Sequence, residues 1–213
     1  MIKAVLWDFG GVLTTSPFEA FNRYERERGL PRDFIRQINA TNPESNAWAL
    51  FESSQVTLDE FDALFAEESA ARGHEIPGRQ VVELLSGDIR PRMVSVLEHC
   101  KAHYQVACIT NNVKSGHGPG MARSNDRAER IATVMALFDL VVESSLEGIR
   151  KPNPQIYKLT CERLGIEPEH AVFLDDLGIN LKPARALGMQ TIKVLDEAQA
   201  IDDLGRATGL QFP

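Results

Sequence analysis

Four stretches of the chain place polar, chemically capable residues in or just beyond short apolar runs. Asp8 ends the run Ile2–Trp7, and Thr110-Asn111 follow Gln105–Ile109. Lys151 lies in the loop beyond Leu140–Glu143, and Asp175-Asp176 follow Ala171–Leu174. Each has an ordinary structural explanation: a helix cap, a turn, a surface loop, a solvated acidic pair. Their succession along the chain is harder to ascribe to solvation, because ligands of an open parallel sheet bind beyond the carboxyl ends of its strands. Together these types suggest phosphoryl transfer through a covalent aspartyl phosphate. A carboxylate such as Asp8 attacks phosphorus when its own charge and that of the phosphate are compensated. A hard cation such as Mg²⁺ supplies part of that compensation, with Asp175 and Asp176 completing its shell. Lys151 between nucleophile and phosphate supplies the rest, and the Thr110 hydroxyl with nearby backbone N–H groups holds the remaining oxygens.

The elements that must position these residues show in the patterning. Ile2–Trp7 is a continuous apolar run that stops at Asp8-Phe9-Gly10-Gly11, as expected of a strand buried on both faces. A helical stretch follows. Ser16-Pro17-Phe18-Glu19 has capping-box spacing, with Ser16 as N-cap and Gly29 as the stop; Thr57-Leu58-Asp59-Glu60 repeats it before Leu58, Phe61, Leu64 and Phe65, with Gly73 closing that helix. The aromatic residues concentrated here make a small helical core, and Trp48 and Phe51 are the best placed to face a ligand. From about residue 90 helix and strand alternate: helices over Pro91–His103, Arg127–Phe138, Asn153 to before Gly165, Leu181–Leu187 and Glu197–Ala207, with strands at Gln105–Ile109, Leu140–Glu143, Ala171–Leu174 and Thr191–Leu195. The expected fold is α/β: a doubly wound, Rossmann-like parallel sheet with a helical cap inserted after the first strand. The core is assigned to residues 1–15 and 87–213 and the cap to 16–86.

Composition narrows the classes. In 213 residues, 43% are hydrophobic and 25% charged, which suits a globular protein with a sizeable core. Twenty-three Lys and Arg against 30 Asp and Glu leave a formal charge of −7, which argues against a nucleic-acid partner. The N-terminal apolar run is too short for a signal segment or a membrane span, so a cytoplasmic location without membrane association is expected. Cys100, Cys108 and Cys161 are widely spaced in apolar-periodic segments and read as reduced core residues.

The stretches D-F-G-G-V-L (Asp8–Leu13), I-T-N-N (Ile109–Asn112), R-K-P-N-P-Q-I-Y (Arg150–Tyr157) and F-L-D-D-L-G-I-N (Phe173–Asn180) resemble the haloacid dehalogenase (HAD) superfamily. The resemblance covers essentially the whole chain. It is nearest to the N-terminal phosphatase domain of soluble epoxide hydrolase and the similar domain of some acyl-CoA dehydrogenase family members. Phe173–Met189 is the most specific match, and Asn125–Arg130 and Thr208–Gln211 also fit. The chain ends where an epoxide hydrolase domain would begin, so a free-standing version is expected, without epoxide hydrolysis. The resemblance implies Asp8 as nucleophile, and Thr110, Asn111 and Gly11 as phosphate or substrate contacts. It implies Lys151 as the charge-neutralising, substrate-contacting lysine. For Mg²⁺ it implies Asp8, the Gly10 carbonyl and Asp176 as ligands, with Asp175 in the near shell and Asn180 supporting the loop. It further implies a cap that shields the phosphoenzyme, a small phosphorylated substrate, and is compatible with a homodimer.

One position departs from the phosphatase pattern. The usual D-x-D motif has a second Asp as general acid/base, and here that place is Gly10. A positioned acid/base is worth roughly 10²–10⁴-fold in rate. Three readings follow, in order: a phosphatase with a good leaving group or another acid; a dehalogenase, which expels halide unaided; or a phosphate- or metal-binding regulatory module with weak turnover. The glycine-rich loop Lys114–Gly120 is expected to be a surface loop, and His117 within it is a candidate replacement acid. His74, His99, His103 and His170 are read as structural or solvated. A phospho-accepting receiver domain is disfavoured, because its acidic pair precedes the acceptor aspartate in the chain.

Overall fold

The computed structural model describes residues 1–113 and 125–212. Five strands form one parallel sheet: β1 (Ala4–Trp7), β2 (Gln105–Thr110), β3 (Leu140–Glu143), β4 (Ala171–Asp175) and β5 (Gln190–Lys193), in the order β3-β2-β1-β4-β5. β1 lies at the centre, with Val5 opposite Val106 on one side and Val172 on the other. Both faces of the sheet are buried, which explains why its central strands read as unbroken apolar runs. Alternate residues serve different cores. Val5, Trp7, Val106, Cys108, Val172 and Leu174 point to one hydrophobic cluster; Ala4, Leu6, Ala107, Ile109, Ala171 and Phe173 point to the other.

Five helices intervene between β1 and the rest of the sheet: α1 (Pro17–Glu27), α2 (Phe34–Ala40), α3 (Ala47–Glu52), α4 (Leu58–Ala70) and α5 (Gly78–Val82). They form the helical cap, with a third core of Phe21, Phe34, Ile35, Ile38, Phe51, Phe61, Phe65, Ile76 and Val81. Val113, just beyond β2, packs into this same core. The remaining helices wind about the sheet. α6 (Pro91–Lys101), α7 (Asn125–Met135) and α11 (Glu197–Thr208) cover one face; α9 (Pro154–Leu164) and α10 (Gly178–Ala186) cover the other, and α8 (Ser144–Glu147) is a single turn after β3. Among the described residues no helix is long and apolar enough to cross a membrane. The three cysteines are buried and free, as core residues should be.

Two local expectations meet different fates. At Thr57 the capping box forms: its hydroxyl accepts from Glu60 N–H, and the Glu60 carboxylate accepts from Thr57 N–H at 2.7 Å. At Ser16 it does not. Ser16 is the N-cap residue of α1, with Pro17 in the first turn, but its side chain makes no cap bond. Its hydroxyl donates instead to Asp176 Oδ2, 3.1 Å away. Local spacing predicted the helix start, and a partner 160 residues away captured the side chain. Helices α2, α3 and α5 went unpredicted because each is only five to seven residues long, too few for a periodic pattern to register. The Gly-rich loop and His117 lie outside the described residues.

Candidate active site

The carboxyl ends of β1, β2 and β4 converge, and the loop before α9 joins them. Asp8 continues the sheet ladder for one residue past β1, its N–H donating to Leu174 O at 2.8 Å, so its side chain emerges at the sheet edge. Lys151 reaches this point from the other side. Its Nζ lies 2.8 Å from Asp8 Oδ1 and 2.8 Å from Asp175 Oδ2, and the residue is almost fully buried. An ammonium has three donors. Two are taken by these carboxylates, and the third is available.

Asp175 is surrounded by donors. Its Oδ1 accepts from Leu177 N–H at 2.8 Å and Asn180 Nδ2 at 3.1 Å; its Oδ2 accepts from Lys151 and, at 3.0 Å, from Asn180 Nδ2. A carboxylate offers about four lone-pair sites, so every site on Asp175 is occupied. Asn180 is in turn fixed by Tyr157, whose hydroxyl donates to its carbonyl at 2.7 Å. Asp8 differs. Its Oδ1 accepts from Phe9 N–H at 2.7 Å and from Lys151, while no donor among the described residues reaches Oδ2. Asp176 is half-exposed and held by Ser16.

The electrostatics show an excess of negative charge. Oxygens of Asp8, Asp175 and Asp176 lie within 4.8 Å of one another. Burial, with added repulsion from Asp175 and Asp176, holds the Asp8 carboxyl well above its ordinary range even though Lys151 pulls it down. Burial and the neighbouring Asp175 raise Asp176 to about 6. Burial alone would depress Lys151, but Asp175 and Asp8 outweigh it and hold the ammonium charged. The charge of this cluster exceeds what one lysine cancels, and Asp8 and Asp176 keep carboxylate oxygens suited to a divalent cation. Gly11 fits the same account. It has φ +77°, and a Cβ there would stand 2.2 Å from Asp176 Oδ2. Only a glycine lets Asp176 sit against this backbone. At Gly10, by contrast, a Cβ would meet nothing within 4 Å.

Thr110 ends β2 and Asn111 follows it at the same edge. Asn111 is locked to the lysine loop by a reciprocal pair: Lys151 N–H donates to its Oδ1 at 2.8 Å, and its Nδ2 donates to Lys151 O at 2.9 Å. Asn112 does another job. It bonds Glu143 and the Ser144–Ser145 turn, tying β2 to β3. A cavity of about 370 Å³ opens here, lined by Asp8, Gly10, Thr110, Asn111, Lys151 and Asp176. From the cap it takes Phe18, Phe21, Arg36, Asn39, Trp48 and Glu52.

Asp8, Gly10, Thr110, Asn111, Lys151, Asp176 and Asn180 therefore line one cavity, with Asp175 and Gly11 against it. Of the two cap aromatics, Trp48 lines the cavity, whereas Phe51 is buried and stacks on Phe61 at 4.4 Å in the cap core. Glu52 and Arg150 were missed. Arg150 Nε lies 2.9 Å from Glu52 Oε2, and Asn111 Nδ2 lies 3.4 Å from the same oxygen. The one available signal was Arg150 beside Lys151; nothing in the sequence distinguishes Glu52 from the other acids of the cap.

Known proteins share this arrangement of chain. A profile of haloacid dehalogenase-like hydrolases matches residues 2–188. Bifunctional epoxide hydrolase 2 of Mus musculus is 31% identical over 229 residues, which take in 100% of this chain and 40% of that protein. The chain spans 40% of that protein and 19% of acyl-CoA dehydrogenase family member 10 of Mus musculus, so it covers less than half the length of these relatives. The sesquiterpene phosphatase astK of Aspergillus oryzae is 25% identical over 209 residues, 97% of each chain. A HAD family enzyme of Bacteroides thetaiotaomicron, solved with magnesium and inorganic phosphate, shares the fold: TM-score 0.58, 22% identity, 91% of this chain and 94% of that one. The chain belongs to the haloacid dehalogenase-like hydrolases.

Proposed function

We propose that the protein is a Mg²⁺-dependent phosphatase of a small organic phosphate, working through an aspartyl phosphate on Asp8, with residues 16–86 as the cap that closes over it. The observation that carries this reading is the placement of Lys151 Nζ at 2.8 Å from both Asp8 and Asp175. A cation held there lets the anionic nucleophile meet an anionic ester. Asp8 Oδ1 is held by Phe9 N–H and Lys151, which leaves Oδ2 to bond to phosphorus. The third proton of Lys151, the Thr110 hydroxyl and the backbone at Asn111 and Gly11 are the groups that take the phosphoryl oxygens. Asp175 acts through others: with all its lone pairs used, it fixes Lys151 and supports the metal from the near shell. Asp8, the Gly10 carbonyl and Asp176 are the oxygens suited to hold Mg²⁺, which when bound neutralises the phosphate charge and polarises the P–O bond. The names of two relatives matched along nearly the whole chain, the sesquiterpene phosphatase astK and a phosphorylated carbohydrates phosphatase of Thermotoga maritima, support phosphate esters over haloacids; a haloacid dehalogenase of Burkholderia cepacia matches over 50% of this chain.

The test is a screen of phosphate monoesters with and without Mg²⁺, alongside Asp8→Asn. Metal-dependent release of phosphate that this change reduces by on the order of 10⁴-fold is expected. Halide release from a 2-haloacid, or phosphate binding without turnover, would overturn the proposal.

A further inference from the structure

We infer that Glu52, on cap helix α3, is the acid–base residue of this site, giving a proton to the leaving oxygen and later taking one from the attacking water. The inference rests on the phosphatase reading. Its starting point is the absence of a side chain at Gly10, where the acid of a D-x-D motif would stand. Among the described residues that line the cavity, three carry carboxyls: Asp8, Asp176 and Glu52. The first two belong to the acidic cluster, and Glu52 approaches from the cap, the side that receives the organic part of an ester whose phosphate faces Asp8.

Its surroundings suit the task. Glu52 is buried, and its Oε2 lies 3.4 Å from the Asn111 amide that lines the same cavity and is clamped to the Lys151 backbone. The carboxyl is thus anchored beside the segment that meets the phosphoryl group. Arg150 lies 2.9 Å away, yet its Nε–H is not aligned on Oε2 and has no hydrogen-bond partner. The contact orients the carboxyl without a full charge-assisted bond. Burial raises the proton affinity of Glu52 against the pull of Arg150 and Lys151 and a hydrogen bond from Trp48.

The two half-reactions balance. In the first, Asp8 Oδ2 bonds to phosphorus, the bond from phosphorus to the ester oxygen breaks, and the Glu52 proton moves to that oxygen, releasing an alcohol and leaving Glu52 ionised. In the second, a water oxygen bonds to phosphorus, its proton passes to Glu52, and the bond from Asp8 Oδ2 to phosphorus breaks, releasing phosphate.

A leaving group that needs no proton separates this role from a structural one. Rapid-quench first turnovers with Mg²⁺ are compared for hexyl phosphate and 4-nitrophenyl phosphate in the parent and in Glu52→Gln. We expect the variant to slow alkyl ester cleavage at least about 100-fold, while first-turnover nitrophenolate release stays within about threefold. Equal slowing of both esters would make Glu52 only a tie between cap and core, and no slowing of either would remove it from the reaction. Gly10→Asp gives a second measure that leaves Glu52 untouched, and a Cβ has open space there. If Glu52 already serves, this change restores the alkyl rate of Glu52→Gln by a larger factor than it alters that of the parent. A rise of about 100-fold in the otherwise unchanged protein would show that the site had no acid, and would overturn the assignment. A parent that hydrolyses neither ester sinks the phosphatase reading and this assignment with it.

Discussion

Ser16 Oγ donates to Asp176 Oδ2 across 3.1 Å and leaves the N-terminus of α1 without a side-chain cap. One hydroxyl thus links the start of α1 to the acidic cluster at the sheet edge. Replacing it tests both halves of that statement. Ser16→Ala should alter thermal stability by less than about 0.5 kcal/mol, since no cap bond is lost. It should weaken Mg²⁺ binding about tenfold, because an orienting partner of a ligand is removed. Unfolding curves and Mg²⁺ titration of the same variant check the pair; a large stability loss with unchanged Mg²⁺ affinity contradicts it.

Gly11→Ala should be far more damaging than Gly10→Ala. At Gly11 the new methyl collides with Asp176, and the backbone is left-handed, worth about 1–2 kcal/mol against a non-glycine residue. Mg²⁺ affinity should fall by tenfold or so as Asp176 is displaced. At Gly10 neither penalty exists. Parallel thermal denaturation and metal titration of the two variants would reveal any failure of this contrast.

Lys151→Met removes the one cation between two buried carboxylates. Breaking such a pair strands charge in the interior, and a loss of about 3–5 kcal/mol is expected. Chemical denaturation at neutral pH measures it. Lower pH should recover part of the loss, because protonating Asp8 removes part of the stranded charge. A variant as stable as the parent at neutral pH would show that the carboxylates do not need the lysine.

The acidic cluster makes the metal-free protein sensitive to alkali rather than acid in this part of the scale. Asp176 binds its proton more tightly folded, at about 6, than the ordinary 3.8. Its contribution to stability is therefore complete below about pH 4 and is lost as pH rises through about 6; Asp8 shifts in the same direction. A cation competes with these protons. Saturating Mg²⁺ should raise the unfolding temperature clearly at about pH 7.5 and little at about pH 5. Equal shifts at both would contradict a site built on these carboxylates.

The sheet was legible because its chemistry is redundant: β1, β2 and β4 are buried on both faces, and each closes on a polar residue that no core tolerates. Asp8, Thr110 and Asp175 could be read from that punctuation, and Lys151 from its place in a loop beyond β3. What could not be read depends on contacts between distant segments. Ser16 looks like a capping serine by every local criterion, and only the folded chain reveals Asp176 as its partner. Phe51 and Trp48 are three residues apart on one short helix and both pack on Phe61, yet Trp48 also lines the cavity while Phe51 is wholly in the core, a difference that spacing does not reveal. Glu52 is one acid among many in the cap sequence; proximity to Arg150 and Asn111 distinguishes it, and proximity is a tertiary property.

Val113 carries a mechanical consequence. It lies three residues past Thr110 on the same strand exit, yet its side chain is seated among the cap aromatics. The helices over the site therefore cannot swing outward as a detached lid: they must either unplug that valine or drag the Thr110-Asn111 segment with them. By the second route, entry of a substrate and alignment of the groups proposed to grip its phosphate would be geared together, and Val113 is the pinion between them.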